Sequence, residues 1–261
     1  MPAVRWETLR QEAQALAAAA EHPDDFLRMW GELLERYADR TFRPGQTSNA
    51  PRLPAHHWPP AVLPTLWHTL RGHLEHRPQL ALPLADALWE QRVLESRLLA
   101  ARLLGIVPAD IPDAPLARLR AWLLTAEEPA VIEALLQLGT QRLIREAPGA
   151  YLDAVEAMLQ APEQQALGLR ALVPLLKTPT FENFPRVQRM LRPKLAPPEE
   201  TLRPELAVVL QTAARRWPEE TTPFLRSLWL TQPTPALAWL IRRVLPVLPD
   251  ENAVALRSVL R

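Results

Sequence analysis

Residues 198–251 read PEETLRPELAVVLQTAARRWPEETTPFLRSLWLTQPTPALAWLIRRVLPVLPDE. Three times in this stretch a proline is followed directly by two acidic residues, at 198–200, 218–220 and 249–251. Proline at the first helical position loses no hydrogen bond, and carboxylates in the first turn meet the positive end of the helix dipole. Apolar residues recur at helical spacing between these marks, as in residues 202–210. The stretch therefore predicts short helices that begin at prolines.

The same punctuation extends along the whole chain, where Leu, Ala, Arg and Glu favour helices and no stretch alternates like a strand. The predicted helices lie near 4–21, 23–39, 60–76, 79–89, 91–105, 115–126, 129–146, 149–160, 162–177, 183–194, 198–216, 219–230, 235–247 and 250–260. A long loop without period is expected at about 40–60. Five prolines fall inside the predicted helices, where they predict kinks or short breaks: Pro83, Pro174, Pro204, Pro223 and Pro246.

Consecutive short helices form pairs of about 30–40 residues, which is near the period of two-helix solenoid repeats. Stacking such pairs buries their apolar faces in one continuous core. We therefore predict an all-α chain with antiparallel helix pairs in one α-solenoid domain over residues 1–261. A compact helical bundle is the main alternative.

Composition excludes several classes of site. The net charge is only +1, and the absence of Cys excludes disulfides, thiolate zinc sites and a cysteine nucleophile. With seven scattered glycines, no P-loop or Rossmann glycine pattern is present, so we expect no cofactor. Residues 1–25 lack the pattern of a signal peptide and no window is apolar enough for a membrane span. We expect a cytoplasmic protein without membrane contact.

Histidines cluster between His22 and His76, and the pair His73 and His76 has ligand spacing. No thiolate or HExxH pattern accompanies them, so surface histidines are the expected interpretation and no metal site is predicted. Most of the nine tryptophans fit core positions. Trp58, in the long loop, is the one predicted to contact a partner.

The densest basic run is Arg186, Arg189, Arg192 and Lys194, whose spacing places it along one side of a short helix. These side chains could bind phosphates, with further basic residues on the same surface if the helices stack in order. The further residues are Arg215, Arg216, Arg242 and Arg243. The alternative is a solvated face paired with nearby glutamates.

Residues 84–105 read LADALWEQRVLESRLLAARLLG, with a Leu-Trp pair ahead of Glu95, Arg97 and an Ala-Leu-rich run. This stretch resembles a helix pair of the DNA alkylation repair family, the alkylpurine glycosylases built from HEAT-like repeats. The end of the chain, 210–249, is similar as well, and the resemblance extends from about Phe26 to Leu248. It implies a HEAT-like fold and a concave surface that binds DNA. Glu95 and Arg97 are predicted to stabilise the helix pair, with a cation beside the glutamate.

The resemblance also implies an acid beside an aromatic residue on that surface, followed by a second Trp with basic residues. The matching stretch AEEPAVIEALLQLG, 126–139, offers Glu133 as the one candidate acid, with Pro129 or Ala130 where the aromatic is expected. The later position, in 162–176, holds Arg170 without an aromatic. Without an aromatic platform a cationic sugar is not held, so the catalytic chemistry is expected to be lost.

Two functions are therefore predicted. The first is a non-catalytic HEAT-like scaffold that binds a macromolecule, duplex DNA or a protein, on its concave face. The second is a DNA glycosylase that excises alkylated purines, which rests on the resemblance alone.

Overall fold

The structure is a computed structural model that describes residues 5–41 and 51–260. Over these residues the secondary structure consists of α-helices with short turns and contains no strand, which confirms the all-α prediction. The chain divides into two compact units, unit 1 (residues 1–147) and unit 2 (residues 148–261). The single domain over residues 1–261 stays a prediction.

Fifteen α-helices occur in the described residues. Those of unit 1 are α1 (Trp6–Ala18), α2 (Pro23–Arg36), α3 (Val62–Glu75), α4 (Ala81–Glu90), α5 (Leu94–Leu104), α6 (Asp113–Thr125), α7 (Pro129–Ala134) and α8 (Gln141–Glu146), with a π-helical turn over Leu135–Gly139. Those of unit 2 are α9 (Pro148–Gln160), α10 (Gln165–Lys177), α11 (Phe184–Leu191), α12 (Arg203–Arg216), α13 (Pro218–Thr231), α14 (Pro235–Val244) and α15 (Asp250–Val259). Short 3₁₀ turns extend several of them, and proline opens five: α2, α7, α9, α13 and α14.

The prolines inside predicted helices have different outcomes. Pro246 lies in a 3₁₀ turn just after α14, and Pro204 is the second residue of α12, so the predicted helices are interrupted there. In contrast, α10 and α13 continue through Pro174 and Pro223. A proline inside a helix costs about 3 kcal/mol. Burial of apolar side chains, worth about 1.5–3 kcal/mol each, outweighs that cost in α10, which buries four leucines.

In unit 1 helices pack on their second neighbours along the chain, and the consecutive helices α4 and α5 also pack on each other. Helix α1 packs on α3, α3 on α5, and α5 on α7 and the π-helical turn, while α2 packs on α4. Helix α6 reaches α4 through the stacked rings of Trp89 and Trp122, 4.5 Å apart, and the ion pair of Arg118 with Asp86. Gly105 ends α5 against the backbone of Leu138, where the backbones approach so closely that no side chain fits.

Two buried carboxylates hold residues 51–58, a segment without regular secondary structure, to the helices of unit 1. Glu95 accepts a hydrogen bond from the backbone N–H of His56 at 2.9 Å, and Glu128 accepts one from Arg52 at 2.7 Å. Glu95 thus has a structural role. Its partner is not the cation expected from the sequence, because the Arg97 guanidinium lies over Trp89, 4.4 Å from the ring centre. A backbone amide meets Oε1 of the carboxylate in its place, while Oε2 is buried and has no hydrogen-bond partner among the described residues.

Unit 2 repeats the same packing rule. Helix α10 packs on its second neighbour α12, α12 on α14, and α13 on α15, while α10 also packs on the preceding helix α9. Side chains join second neighbours at a nearly constant separation in sequence: Gln188 donates to the Glu220 carbonyl and Gln211 to the Arg243 carbonyl, each 32 residues away. Asn252 donates to the Pro218 carbonyl, 34 residues away. The helix pairs of unit 2 therefore recur every 32–34 residues.

Among the residues that the structure describes, no helix combines the length and the apolar character that crossing a bilayer requires.

Candidate functional site

Three helices of unit 2, α10, α12 and α14, run side by side in the same direction. Gln211, near the end of α12, donates from Nε2 to the carbonyl oxygen of Arg243, near the end of α14, at 2.8 Å. Arg216, the last residue of α12, donates from Nη1 to the carbonyl oxygen of Leu176 in α10 at 3.0 Å. The carboxyl ends of the three helices therefore lie together at one end of this row.

The outer surface of α12 and α14 carries exposed arginines beside exposed apolar side chains. We define the α12–α14 face as Val208, Arg215, Trp239, Arg242 and Arg243, all of which are exposed. Trp239 is 37% exposed and the Arg243 guanidinium lies 5.0 Å from its ring centre. Within the described ranges none of the three arginines forms an ion pair with a carboxylate. Their charge is therefore open to a ligand.

Acidic residues are nearly absent from these two helices. The sequence of α12 and α14 contains one, Glu205, in the first turn of α12 at the opposite end from Arg215. Arginines in the last turn are also favoured by the negative end of the helix dipole, which explains part of the arrangement. The dipole does not explain the exposed Trp239 beside them. A basic surface with an aromatic side chain is typical of sites that bind nucleic acid.

The predicted basic run lies elsewhere in unit 2. Arg186 and Arg189 are on α11, followed by Arg192 and Lys194 in the next 3₁₀ turn. Helix α11 contacts α9 and α13 through its side chains, whereas α12 packs mainly on α10 and α14. The structure therefore separates the predicted basic residues into two groups.

Internal contacts neutralise part of the α11 group. Arg186 forms ion pairs with Asp153 and Glu156 of α9, and these hydrogen bonds raise the pKa of its guanidinium. The Arg192 guanidinium lies 5.6 Å from the ring centre of Phe224. Arg189 is exposed and Lys194 is half-buried. We retain phosphate binding by this group only as the prediction made from sequence.

Arg216 has a structural role that its sequence position does not reveal. Its guanidinium donates to four carbonyl oxygens after and at the end of α10, those of Leu176, Thr178, Pro179 and Phe181. It also lies 4.2 Å from the ring centre of Trp217. The planar fork of arginine suits this multiple capping, so Arg216 fixes the turn between α10 and α11.

Trp58 packs within unit 1. Its ring centre lies 5.1 Å from that of Trp30 and 6.1 Å from that of Tyr37, and its Nε1 donates to the Leu34 carbonyl at 3.2 Å. The side chain is half-buried. These contacts give Trp58 a packing role, and contact with a partner stays a prediction.

Glu133, the candidate catalytic acid, lies exposed on α7 and has interactions of its own. No group of three or more histidines and carboxylates in the described part of the chain is arranged to hold a metal ion. His73 contacts Arg77 at 3.4 Å and His56 lies 4.0 Å from Glu35.

Sequence reasoning missed the separation of α11 from α12 and α14, because adjacent helices in the chain fall in different rows. Counting helices alternately from Pro162 would have revealed it, since second neighbours share a row in a paired-helix stack.

In comparisons with known proteins, no family model, curated protein or solved structure matches the chain.

Proposed function

We propose that this protein is a non-catalytic scaffold of HEAT-like helix pairs, and that unit 2 binds duplex DNA through the α12–α14 face. The observation that carries the proposal is the set of three exposed arginines, Arg215, Arg242 and Arg243, of which Arg243 lies over the exposed ring of Trp239. The proposal keeps the cytoplasmic location expected from the sequence.

The repeated contacts of unit 2 support the HEAT-like part of the proposal. Gln188 and Gln211 each bridge to the helix two positions further along the chain, 32 residues away. In a stack of two-helix repeats, equivalent positions of successive repeats meet in this way. A compact bundle with unrelated helices has no reason to repeat one separation.

The charge distribution supports a DNA backbone as the ligand. The arginine side chains of the α12–α14 face are exposed, and the one acid in the sequences of α12 and α14, Glu205, is at the far end of α12. One planar guanidinium group can donate two hydrogen bonds to two oxygens of the same phosphate. Contacts with the phosphate backbone supply most of the affinity in nonspecific DNA binding. Trp239 adds an apolar surface for a sugar or a base edge.

Fluorescence anisotropy with a labelled 20-base-pair DNA duplex tests the proposal. The variant changes Arg215, Arg242 and Arg243 to Gln. If each lost phosphate contact costs about 1 kcal/mol, Kd rises about a hundredfold. The matched control changes three exposed arginines on other helices to Gln, Arg120 of α6, Arg226 of α13 and Arg257 of α15, and we expect little change in Kd. Absence of binding by the wild-type protein, or equal losses in both variants, would contradict the proposal.

A second experiment tests the alternative function, an alkylpurine DNA glycosylase. Duplex DNA that contains 7-methylguanine is incubated with the protein and released base is measured by chromatography. We expect no release. Release by the wild-type protein that is lost in Glu133→Ala would replace the scaffold proposal with the enzyme.

A further inference from the structure

Unit 1 contains a cavity of about 250 Å³ between α3, α5 and α8. Its wall includes four arginines: Arg71, Arg102, Arg142 and Arg145. The rest of the wall combines Glu75 and Gln141 with Gly105 and the apolar side chains of Trp67, Ile106 and Leu138, and Leu138 belongs to the π-helical turn. Such turns interrupt regular helices and are frequent at functional sites. The cavity is smaller than the roughly 300–1,000 Å³ of sites for drug-sized ligands, so its size favours a small ligand.

The charges of the cavity do not balance. Arg71 forms an ion pair with Glu75 at 2.9 Å, so the positive charge of Arg71 is compensated. Arg142 and Arg145 both lie against one carboxylate, Glu146, at 2.7 and 3.6 Å. One positive charge of this second group therefore remains.

Arg102 supplies the second excess charge. Its side chain is half-buried, Nη1 donates to the carbonyl of Leu98 one turn earlier at 3.0 Å, and no carboxylate in the described ranges pairs with it. Burial alone lowers the pKa of this guanidinium. A partly buried cation without an anion costs free energy, and a bound anion recovers that cost.

We propose that the cavity around Arg102 binds the phosphate group of a small phosphomonoester. Two unbalanced arginines, Arg102 and Arg145, face a space that fits a phosphate, and guanidinium groups bind phosphate oxygens in a bidentate manner. Trp67 and Leu138 provide an apolar wall for the organic group that carries the phosphate. This site is in unit 1 and does not depend on DNA binding by the α12–α14 face.

Isothermal titration calorimetry at constant ionic strength tests the site with two probes, inorganic phosphate and adenosine 5′-monophosphate. We expect saturable binding of both. Tighter binding of the monophosphate would assign the wall of Trp67 and Leu138 to the organic group, and equal binding would assign recognition to the phosphate alone. Absence of saturable binding of either probe, or equal binding of chloride, would overturn the proposal.

Three variants assign the binding to the cavity. Arg102→Gln is expected to weaken phosphate binding at least tenfold, because a hydrogen bond to a charged group is lost in a half-buried site. Arg145→Gln removes an exposed charge and is expected to weaken binding up to about fivefold. The matched control, Arg120→Gln, changes an exposed arginine on α6 that does not line the cavity and should leave binding unchanged.

Stability provides a second readout that a purely structural arginine would not give. Arg102→Gln removes an uncompensated charge, so its melting temperature without phosphate should equal or exceed that of the wild type. Phosphate should raise the melting temperature of the wild type and of Arg120→Gln but not of Arg102→Gln. Unchanged phosphate affinity in Arg102→Gln would show that the cavity is not the site.

Discussion

The contact between Gly105 and the π-helical turn predicts a strong effect of adding a single methyl group. A Cβ atom at Gly105 would lie 1.9 Å from the carbonyl oxygen of Leu138 and 2.9 Å from its carbonyl carbon. The atoms in the way belong to the backbone, so no rotamer change can relieve the clash. Helix α5 and the turn would have to separate by more than an ångström inside the core.

The magnitude follows from two opposed contributions. Overpacking a core costs typically 1–3 kcal/mol, and a backbone clash should lie near the upper end at about 3 kcal/mol. Replacing Gly by Ala in a right-handed helical conformation, which Gly105 has, recovers about 0.5–1 kcal/mol of chain entropy. We therefore expect Gly105→Ala to lower the free energy of unfolding by about 2 kcal/mol.

Urea unfolding followed by circular dichroism and tryptophan fluorescence measures this change. Gly72→Ala is the matched control, because Gly72 lies exposed inside α3 and a Cβ there meets nothing within 4 Å. The control should be more stable than the wild type by about 0.5–1 kcal/mol. Equal or greater stability of Gly105→Ala relative to the wild type would refute the close approach of α5 and the turn.

Three further predictions concern single side chains. Arg216→Lys should lower the free energy of unfolding by about 2 kcal/mol, because an ammonium cannot reach the four carbonyls that the guanidinium caps. Urea unfolding measures this loss, and an unchanged free energy of unfolding would contradict the capping role. Glu95→Ala should cost about 1–3 kcal/mol and speed proteolysis within residues 51–58, because the His56 amide loses its acceptor; unchanged cleavage would argue against that anchor. Burial and the Glu12 carboxylate raise the pKa of Tyr37, so the folded state holds this proton more tightly than the unfolded state. Stability should therefore fall as pH rises above about 10, by up to about 1.4 kcal/mol per pH unit, and Tyr37→Phe should remove that contribution. Equal slopes for the wild type and Tyr37→Phe between pH 9 and 11 would contradict it.

Much of the helical organisation follows from local chemistry that the sequence displays. Proline followed by acids predicts the starts of α2 and α13, and both begin at those prolines. The interruption at Pro246 follows from a second local rule, that proline inside a helix removes a backbone hydrogen bond and breaks the helix. Pro174 does not obey it, because the free energy of burying the apolar face of α10 depends on tertiary contacts that no local pattern reveals.

The candidate sites were harder to predict because they depend on which helices are neighbours. Arg186 and Arg215 look equivalent in sequence, but carboxylates of α9 neutralise the first and the second stays without an ion pair in the described ranges. Arg102 looks like an ordinary helix-surface residue, and only the packing of α3 and α8 beside it encloses it in a cavity. Residue type predicted possible chemistry, whereas the tertiary fold decided which charges lack a partner.

The salt dependence of DNA binding tests the scaffold proposal most directly, because it counts phosphate contacts. The logarithm of the binding constant falls with the logarithm of salt concentration by about 0.9 for each phosphate that the protein neutralises. Changing Arg215, Arg242 and Arg243 to Gln should therefore make the slope shallower by about 2.7, three times that increment. Changing Arg120, Arg226 and Arg257 to Gln should leave the slope unchanged. Equal slopes for the wild type and the first variant would show that the α12–α14 face does not contact the DNA backbone.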